Sequence, residues 1–387
     1  MIRDQIHGDI YLSEAEQKLV NTPSFQRMRR IKQLGFVENT YPCATHNRFQ
    51  HSLGVCQCVT DMYNAVCRNN KDFYRAGDLE LLRMMALVHD MGHSPFSHAS
   101  EVLSDITHEE RLADILEYEK KNIILAHNYD CEAWDLINQV YNGTGTTYLS
   151  DKHLIALHGF MDWFIDADKM DYLERDAMNC GVSYGAFDRQ ALINNLTVIR
   201  DSNGFETIGV KTTGIQALES FILARYYMFS QVYMTPIERI YRKQFVYEMQ
   251  ALLPDGKYPD DVKKFLRLDD TTYAKKLKFL GGTHIDVIYD SNYNEHLVDL
   301  ITKRLGNYIV IDAPRKAIYR KDNEDANILC LDEFTGEVKT ASESSDLIKS
   351  FEFLNIHKLR VYADTSVSKE LRVELQKILE EVKNETV

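Results

Sequence analysis

The stretch Val88-His89-Asp90-Met91-Gly92-His93-Ser94-Pro95-Phe96-Ser97-His98 constrains this chain more than any other. It sets three histidines and an aspartate at the end of an apolar run, Leu81-Leu82-Arg83-Met84-Met85-Ala86-Leu87, that predicts a buried helix. Ionisable side chains delivered by a buried helix are costly unless a metal ion or a polar partner satisfies them. On a helix, His89 and Asp90 reach one ion from neighbouring sides, and His93 falls one turn later on the same face. Gly92 and Pro95 then bend the chain, which would return His98 towards the same point. The plainer alternative is a helix C-terminus with polar caps. A lone histidine would favour that, but four ligand-type residues at this density point to a site.

The rest of the composition limits what surrounds the site. A chain of 387 residues predicts a large helical domain with a smaller appendage, or two domains. Hydrophobic residues at 44% and charged residues at 27% describe a globular protein with a sizeable core, and no apolar run predicts a membrane span. The start Met1-Ile2-Arg3-Asp4 lacks a signal-peptide core, so a cytoplasmic protein is expected. Seven scattered cysteines, Cys43, Cys56, Cys58, Cys67, Cys131, Cys180 and Cys330, form no CxxC pair and are expected to be reduced thiols. A net charge of -13 disfavours a nucleic-acid coat but leaves room for a local basic pocket around a small anion.

In chain order, Asp4-Gln5-Ile6-His7-Gly8-Asp9-Ile10 is expected to be extended, and Ser13 to cap a helix with acids in its first turn. Thr22-Pro23 opens a predicted helix that runs to Gly35, with Phe25, Met28, Ile31 and Leu34 as its buried stripe. Arg48 and His51 lie three residues apart, so a helix would present a guanidinium and an imidazole on one face, as a phosphate beside a metal requires. Thr107 and Glu110 form a capping box that gives His108 no structural duty. Asp168, Tyr172 and Asp176 follow i, i+4, i+8, which is no core stripe; an ordinary charged helix in which Lys169 and Arg175 pair with Asp166, Asp171 or Asp176 explains it equally well. Residues 212–252 predict long aromatic-rich helices interrupted at Pro236, with Arg239, Arg242 and Lys243 as a basic cluster. Strands are expected at Tyr308-Ile309-Val310-Ile311, Ile328-Leu329-Cys330-Leu331 and Lys358-Leu359-Arg360-Val361-Tyr362, before a closing amphipathic helix. The expected fold is mainly α, a helical domain over 1–300 with a C-terminal α+β region over 301–387 packed on it.

The ordered set His51, His89-Asp90 and Asp168 resembles the HD superfamily of metal-dependent phosphohydrolases, whose ligands come as H…HD…D from separate helices. The longer words Gln33-Leu34-Gly35, Asn47-Arg48-Phe49-Gln50-His51-Ser52-Leu53-Gly54, His89 to His98, and Asp166-Ala167-Asp168-Lys169-Met170-Asp171-Tyr172 are similar to its deoxynucleoside triphosphate triphosphohydrolase branch. The similarity begins at Asp4-Gln5-Ile6-His7-Gly8 and extends to Leu359-Arg360-Val361-Tyr362. It implies an HD helical core, one divalent ion (Mn, Fe, Co, Ni, Zn or Mg) on His51, His89, Asp90 and Asp168, and hydrolysis of a dNTP to deoxynucleoside and triphosphate.

By the same resemblance, Arg48 and Lys169 would neutralise phosphates, and His93, His98, Glu101 and His108 would surround the scissile bond, His108 as general acid. Gln33 and Asp176 would hold the 3′-hydroxyl, with Leu34 beside the sugar and Tyr172 crowding out a 2′-hydroxyl. The chain departs from the branch at Asn21, where an acidic residue reads an activating nucleotide, although Gln26 and Arg29 match. It also departs near Tyr233 or Thr235, where a basic residue meets the terminal phosphate; Arg239 or Arg242 would replace it, or the substrate is not a triphosphate. Because the chain begins near the first motif, a constitutive dimer or higher homo-oligomer is expected. The alternatives in other classes are an HD phosphohydrolase acting on nucleoside monophosphates, signalling nucleotides or single-stranded nucleic acid, and a nucleotide sensor without turnover.

Overall fold

The computed structural model describes residues 1–127, 152–200, 206–278, 284–319 and 328–385; Cys131 lies outside them. The fold is mainly α. Its centre is a helix α1 (Arg48–Asn69), N-capped by Asn47 with Gln50 closing a capping box. Against it pack α2 (Asp78–Val88) and, further along, α4 (Ala167–Cys180), with α3 (His108–His127) between them in sequence. Leu53, Val55, Val59 and Met62 of α1, Leu82, Met85 and Val88 of α2, and Met170 and Leu173 of α4 join one buried core. Helices α5 (Ile215–Met228) and α6 (Pro236–Leu252) close one side, and α6 begins with Pro236 at its first turn behind the Thr235 cap. Between them Phe229–Tyr233 winds as a π-helix, an irregularity often found at functional sites.

The first helices correct the sequence reading. The N-terminal pair β1 (Ile2–Asp4) and β2 (Gly8–Ile10) and the Ser13 capping box form as expected. The helix that opens at Thr22 stops well before Gly35: Pro23–Arg27 is α-helical, Met28–Arg30 is one 3₁₀ turn, and Ile31 is extended. Tertiary partners win there, because Arg48 donates its backbone N–H to the Ile31 carbonyl, Gln33 to that of His46, and Lys32 to the Asp270 carboxylate. Likewise α2 ends at Val88, so His89 and His93 do not share a helical face; residues 89–96 run in tight turns. The turns press on the start of α3. A Cβ on Gly92 would stand 1.9 Å from the His108 carbonyl oxygen.

The strands divide differently from the expected boundary at 300/301. Strands β3 (Leu196–Arg200) and β4 (Glu206–Lys211), which the sequence reading passed over, pair antiparallel. Far along the chain β8 (Leu329–Leu331) joins β4 in parallel, and β9 (Val338–Thr340) pairs with β8. Val198, Ile208, Val210 and Cys330 of this sheet belong to the helical body's core. A second, antiparallel sheet forms from β5 (Ile285–Asn292), β6 (Ile309–Asp312), β7 (Arg315–Ala317) and β10 (Asn355–Asp364), with β10 pairing all three others. Helices α7 (Glu295–Leu305) and α8 (Ser368–Glu385) cover it around Ile288, Ile301, Leu359, Val361 and Leu375. Strand β10 ties the two cores together: Ile356 belongs to the large one and Leu359 to the small. Among the described residues no helix is long and apolar enough to cross a membrane.

Candidate functional site

Three helices deliver the first group of side chains. His51 lies one turn inside α1, His89 caps the C-terminus of α2, and Asp168 lies in the first turn of α4, and their ligand-type atoms all fall within 4.8 Å of one another. His51 Nε2 is 2.8 Å from Asp168 Oδ1, and its other ring nitrogen is 2.8 Å from Asp171 Oδ2. Asp171 is wholly buried and also meets His7 Nε2 and the Arg175 guanidinium, which in turn binds Asp4. This shell explains a glycine: a Cβ on Gly54 would sit 2.0 Å from Asp171 Oδ1. A carboxylate fixing the second nitrogen of a histidine is the usual support of a metal-binding imidazole.

A divalent ion fits this group on the chemistry of its atoms. His89 gives Nδ1 to the Ala86 carbonyl at 2.7 Å, which leaves Nε2 buried with no hydrogen-bond partner. Burial would lower the His51 pKa, but hydrogen bonds to Asp168 and Asp171 raise it to about 10; the site concentrates negative charge that a proton answers when no metal does. Asp90 stands beside this group, 3.5 Å from His89 Nε2 and 3.7 Å from His51 Nε2, and its Oδ2 is paired with Arg48 Nη1 at 2.6 Å. Burial would raise its pKa, but Arg48 and the imidazoles of His89 and His93 hold it well below the carboxylate range.

A second group lies at the rim. His98 does not return to the metal-type ligands, as the sequence reading supposed; it joins His93 and Glu101 instead. His98 Nδ1 is 2.6 Å from Glu101 Oε1, and His108 Nδ1 is 3.4 Å from the same oxygen. The buried His93 ring stacks on His108 at 4.0 Å and lies 3.2 Å from Asp90, so it links the two groups. Burial pushes the His93 pKa well below the imidazole range, reinforced by Arg48 and His108. Phe96 and Ser97 both take left-handed backbone (φ 64° and 55°) to turn His98 outwards. Asp270 holds that corner by accepting from the Phe96 backbone, and Ser97 Oγ is bonded to Arg48 Nε and the Lys32 carbonyl.

A cavity of about 470 Å³ opens beside both groups, walled by Gln33, Leu34, Arg48, His98, Glu101, Asp168, Lys169, Tyr172, Asp176, Arg239 and Arg242 among others. Ten of the twelve residues singled out in the sequence for substrate or acid-base work line this cavity, with Asp168 of the four expected ligands; His93 and His108 stand behind His98. Asp176 accepts from Tyr233 Oη and faces His46 Nε2, both at 2.7 Å. Tyr172 Oη accepts from Arg225 Nη1 at 2.8 Å, and the side-chain amide oxygen of Gln33, Oε1, is buried without a partner. Three expected cations are already matched. Lys169 pairs with Asp166, Arg239 grips Asp312 through two nitrogens, and Arg242 pairs with Glu238. Arg225 and Lys316 also line the cavity, and the sequence reading assigned neither. Arg225 hides in the aromatic texture of α5, and Lys316 lies in a three-residue strand with no motif around it.

Residues 48–153 match the HD domain family, and residues 187–290 match the HD associated region. Protein MJ1154 of Methanocaldococcus jannaschii is 32% identical over 77% of this chain and 59% of its own length. The deoxynucleoside triphosphate triphosphohydrolase SAMHD1 homolog of Dictyostelium discoideum is 28% identical over 70% of this chain and 53% of its own. The crystal structure of a hypothetical protein from Aquifex aeolicus superposes with a TM-score of 0.82 at 29% identity, covering 97% of this chain and 99% of that one. The chain spans 52–59% of the length of the first curated relatives it matches. With these two matches in succession, the chain carries an HD domain followed by an HD associated region.

Proposed function

We propose that this chain is a metal-dependent HD phosphohydrolase that converts a deoxynucleoside triphosphate and water to deoxynucleoside and triphosphate. The observation that carries the reading is one cavity whose wall joins a metal-type ligand, cationic side chains, and the polar set Gln33, Tyr172 and Asp176. The similarity to the SAMHD1 homolog supports the same substrate class. His51, His89 and Asp168, with Asp90 beside them, would hold the ion, which would supply Lewis-acid activation of the phosphoryl group.

The chain's own residues account for the remaining work. Water adds to the α-phosphorus, the bond from phosphorus to O5′ breaks, and a proton must reach O5′. His108 is assigned that proton transfer, and Glu101 orients both His108 and His98 by facing their Nδ1 atoms. Arg48, fixed by Asp90 and Ser97, still has a buried Nη2 without a hydrogen-bond partner to offer a phosphate oxygen. Asp176, braced by His46 and Tyr233, accepts from the 3′-hydroxyl, and the Tyr172 ring, held by Arg225, leaves no room for a 2′-hydroxyl.

The test is purified protein with each dNTP and NTP and Mn or Mg, with products separated by chromatography and His89→Ala and Asp168→Ala as controls. Deoxynucleoside and triphosphate formed only with intact ligands support the reaction. Release of single phosphates or of nucleoside monophosphate would replace it with another HD phosphohydrolase reaction, and no turnover with metal bound would leave a sensor.

A further inference from the structure

Two segments of the cavity wall meet behind it at one carboxylate. Asp270 opens the short helix Asp270–Ala274, is 6% exposed and lies in the HD associated region. Its Oδ1 accepts from the Phe96 backbone at 2.7 Å and its Oδ2 from the Lys32 backbone at 3.0 Å. Each bond stands just ahead of residues that line the cavity: Lys32 precedes Gln33 and Leu34, and Phe96 precedes Ser97 and His98. Ser97 Oγ joins the two segments again by donating to the Lys32 carbonyl. The turn needs such support, because an aromatic residue in left-handed backbone is strained and persists only where its surroundings over-determine it.

This carboxylate does not act through a salt bridge. Among the described residues no cation forms an ion pair with it. The charged and titratable groups around it are Arg27 and Lys32 from the N-terminal segment, Tyr258 from the segment after α6, and its neighbour Asp269, which is paired with Arg30. A buried charge without a paired cation is costly, so its use here points to the two bonds it makes. Two N–H groups on separate segments demand two acceptors, and an ionised carboxylate offers two oxygens with a hydrogen on neither. An asparagine or a protonated acid would turn a hydrogen towards one of them.

We propose that Asp270 is a positioning residue for the phosphohydrolase reaction: its carboxylate locks the wall at Gln33-Leu34 to the turn that aims His98. The HD associated region thereby sets the alignment of the acid-base group of the HD domain. This rests on the proposed function and deepens it. Burial raises the Asp270 pKa to about 6, although the Lys32 and Phe96 N–H groups pull it down. With a raised carboxylate pKa, the clamp is complete above about pH 6 and is lost as pH falls through that value.

The experiment compares wild type, Asp270→Asn, His98→Gln and the double variant on a dNTP in kcat, metal content and pH profile, with crystal structures of wild type and Asp270→Asn. Loss of one hydrogen bond to a charged group predicts kcat lower by about 10- to 100-fold in Asp270→Asn. Metal content stays at the wild-type value, because Asp270 bonds to Lys32 and Phe96 and to none of the ligand residues. In the His98→Gln background the same substitution lowers kcat little further, since the side chain it aims is gone. Asp270→Asn also lacks the part of the wild type's acid limb that falls near pH 6, and its crystal shows His98 turned away from Glu101. Additive losses in kcat, an unchanged acid limb, or His98 in its wild-type place overturns the proposal; so does metal loss, which marks a general structural role. Should Asp270→Asn not fold, wild-type crystals above and below about pH 6 carry the test, and an identical Phe96 turn in both overturns the proposal. The two readings fail separately. A displaced His98 in Asp270→Asn, with no triphosphate release by the wild type, sinks the reaction and keeps the positioning; triphosphate release with additive losses and an unmoved His98 does the reverse.

Discussion

Two histidine–carboxylate groups, chemically alike, lie on either side of His93, and the fold treats them in opposite ways. His51, His89 and Asp168 come from three packed helices, and His51 is held from behind by Asp171, itself gripped by His7 and Arg175. His98, Glu101 and His108 come from a 3₁₀ turn and the first residue of a helix, with His98 and Glu101 about half exposed. Rigid, desolvated imidazoles beside carboxylates suit an ion that must stay. Accessible imidazoles sharing one carboxylate suit proton traffic with a substrate that must come and go. On the proposed function, burial and the quality of the supporting shell, not residue type, separate a ligand from an acid-base group here.

The comparison breaks most visibly where the ligands are removed. His89→Ala deletes a buried ring nitrogen that has no hydrogen-bond partner and faces the ligand group, so bound metal and turnover should both fall to background; metal analysis after gel filtration, beside the product assay, checks it. Full metal content in Asp168→Ala or His89→Ala would show that the ion sits elsewhere. His108→Gln is next in size. It should lower kcat by about 10²–10⁴-fold while leaving metal content and KM near wild type, because the rim group touches no ligand but through His93. Metal loss in this variant would merge the two groups into one.

These groups were unequally legible in the sequence. His51, His89-Asp90 and Asp168 could be picked out because adjacent His and Asp at the end of an apolar run are rare, and the packing of three helices then brings them together. The path between them was not legible. Gln33-Leu34 read as helix and His93 as one turn after His89 on the same face, yet the chain there is bent by partners distant in sequence, Asp270 above all, which accepts from both the Lys32 and Phe96 backbones. Strands β3 and β4 were marked only by β-branched residues, Thr197, Val198, Ile199, Thr207, Ile208 and Val210, and were overlooked beside the stronger helical periodicity that follows. Lys316 and Arg225 carry no local signal, because what distinguishes them is their place in the cavity wall, a property of the folded chain.

The supporting shell sharpens the contrast at intermediate cost. Asp171→Asn keeps the shape of the side chain but removes the charge that faces His51 Nδ1, His7 and Arg175. Shell substitutions of this kind weaken metal affinity by about 10–100-fold, and titration with a competing chelator should find that range. Arg175 keeps Asp4 as a partner, so the variant should fold with a lowered melting temperature. Wild-type affinity in a folded Asp171→Asn would mean that packing alone orients His51.

The smallest effect should come from the wall where sugar and phosphate meet. Tyr172→Phe keeps the ring and removes only the hydroxyl that accepts from Arg225 Nη1. One hydrogen bond of this kind is worth about 0.5–1.5 kcal/mol, so KM should rise by a few-fold with kcat nearly unchanged. If the ring excludes a 2′-hydroxyl, as the proposed function requires, the preference for deoxynucleotides over ribonucleotides should persist in Tyr172→Phe and relax in Tyr172→Ala. If Tyr172→Phe loses that preference, the hydroxyl and not the ring reads the sugar. Arg225 would then act on the sugar through the Tyr172 hydroxyl, and the selectivity of that wall would lie in one hydrogen bond to a guanidinium, not in the shape of a ring.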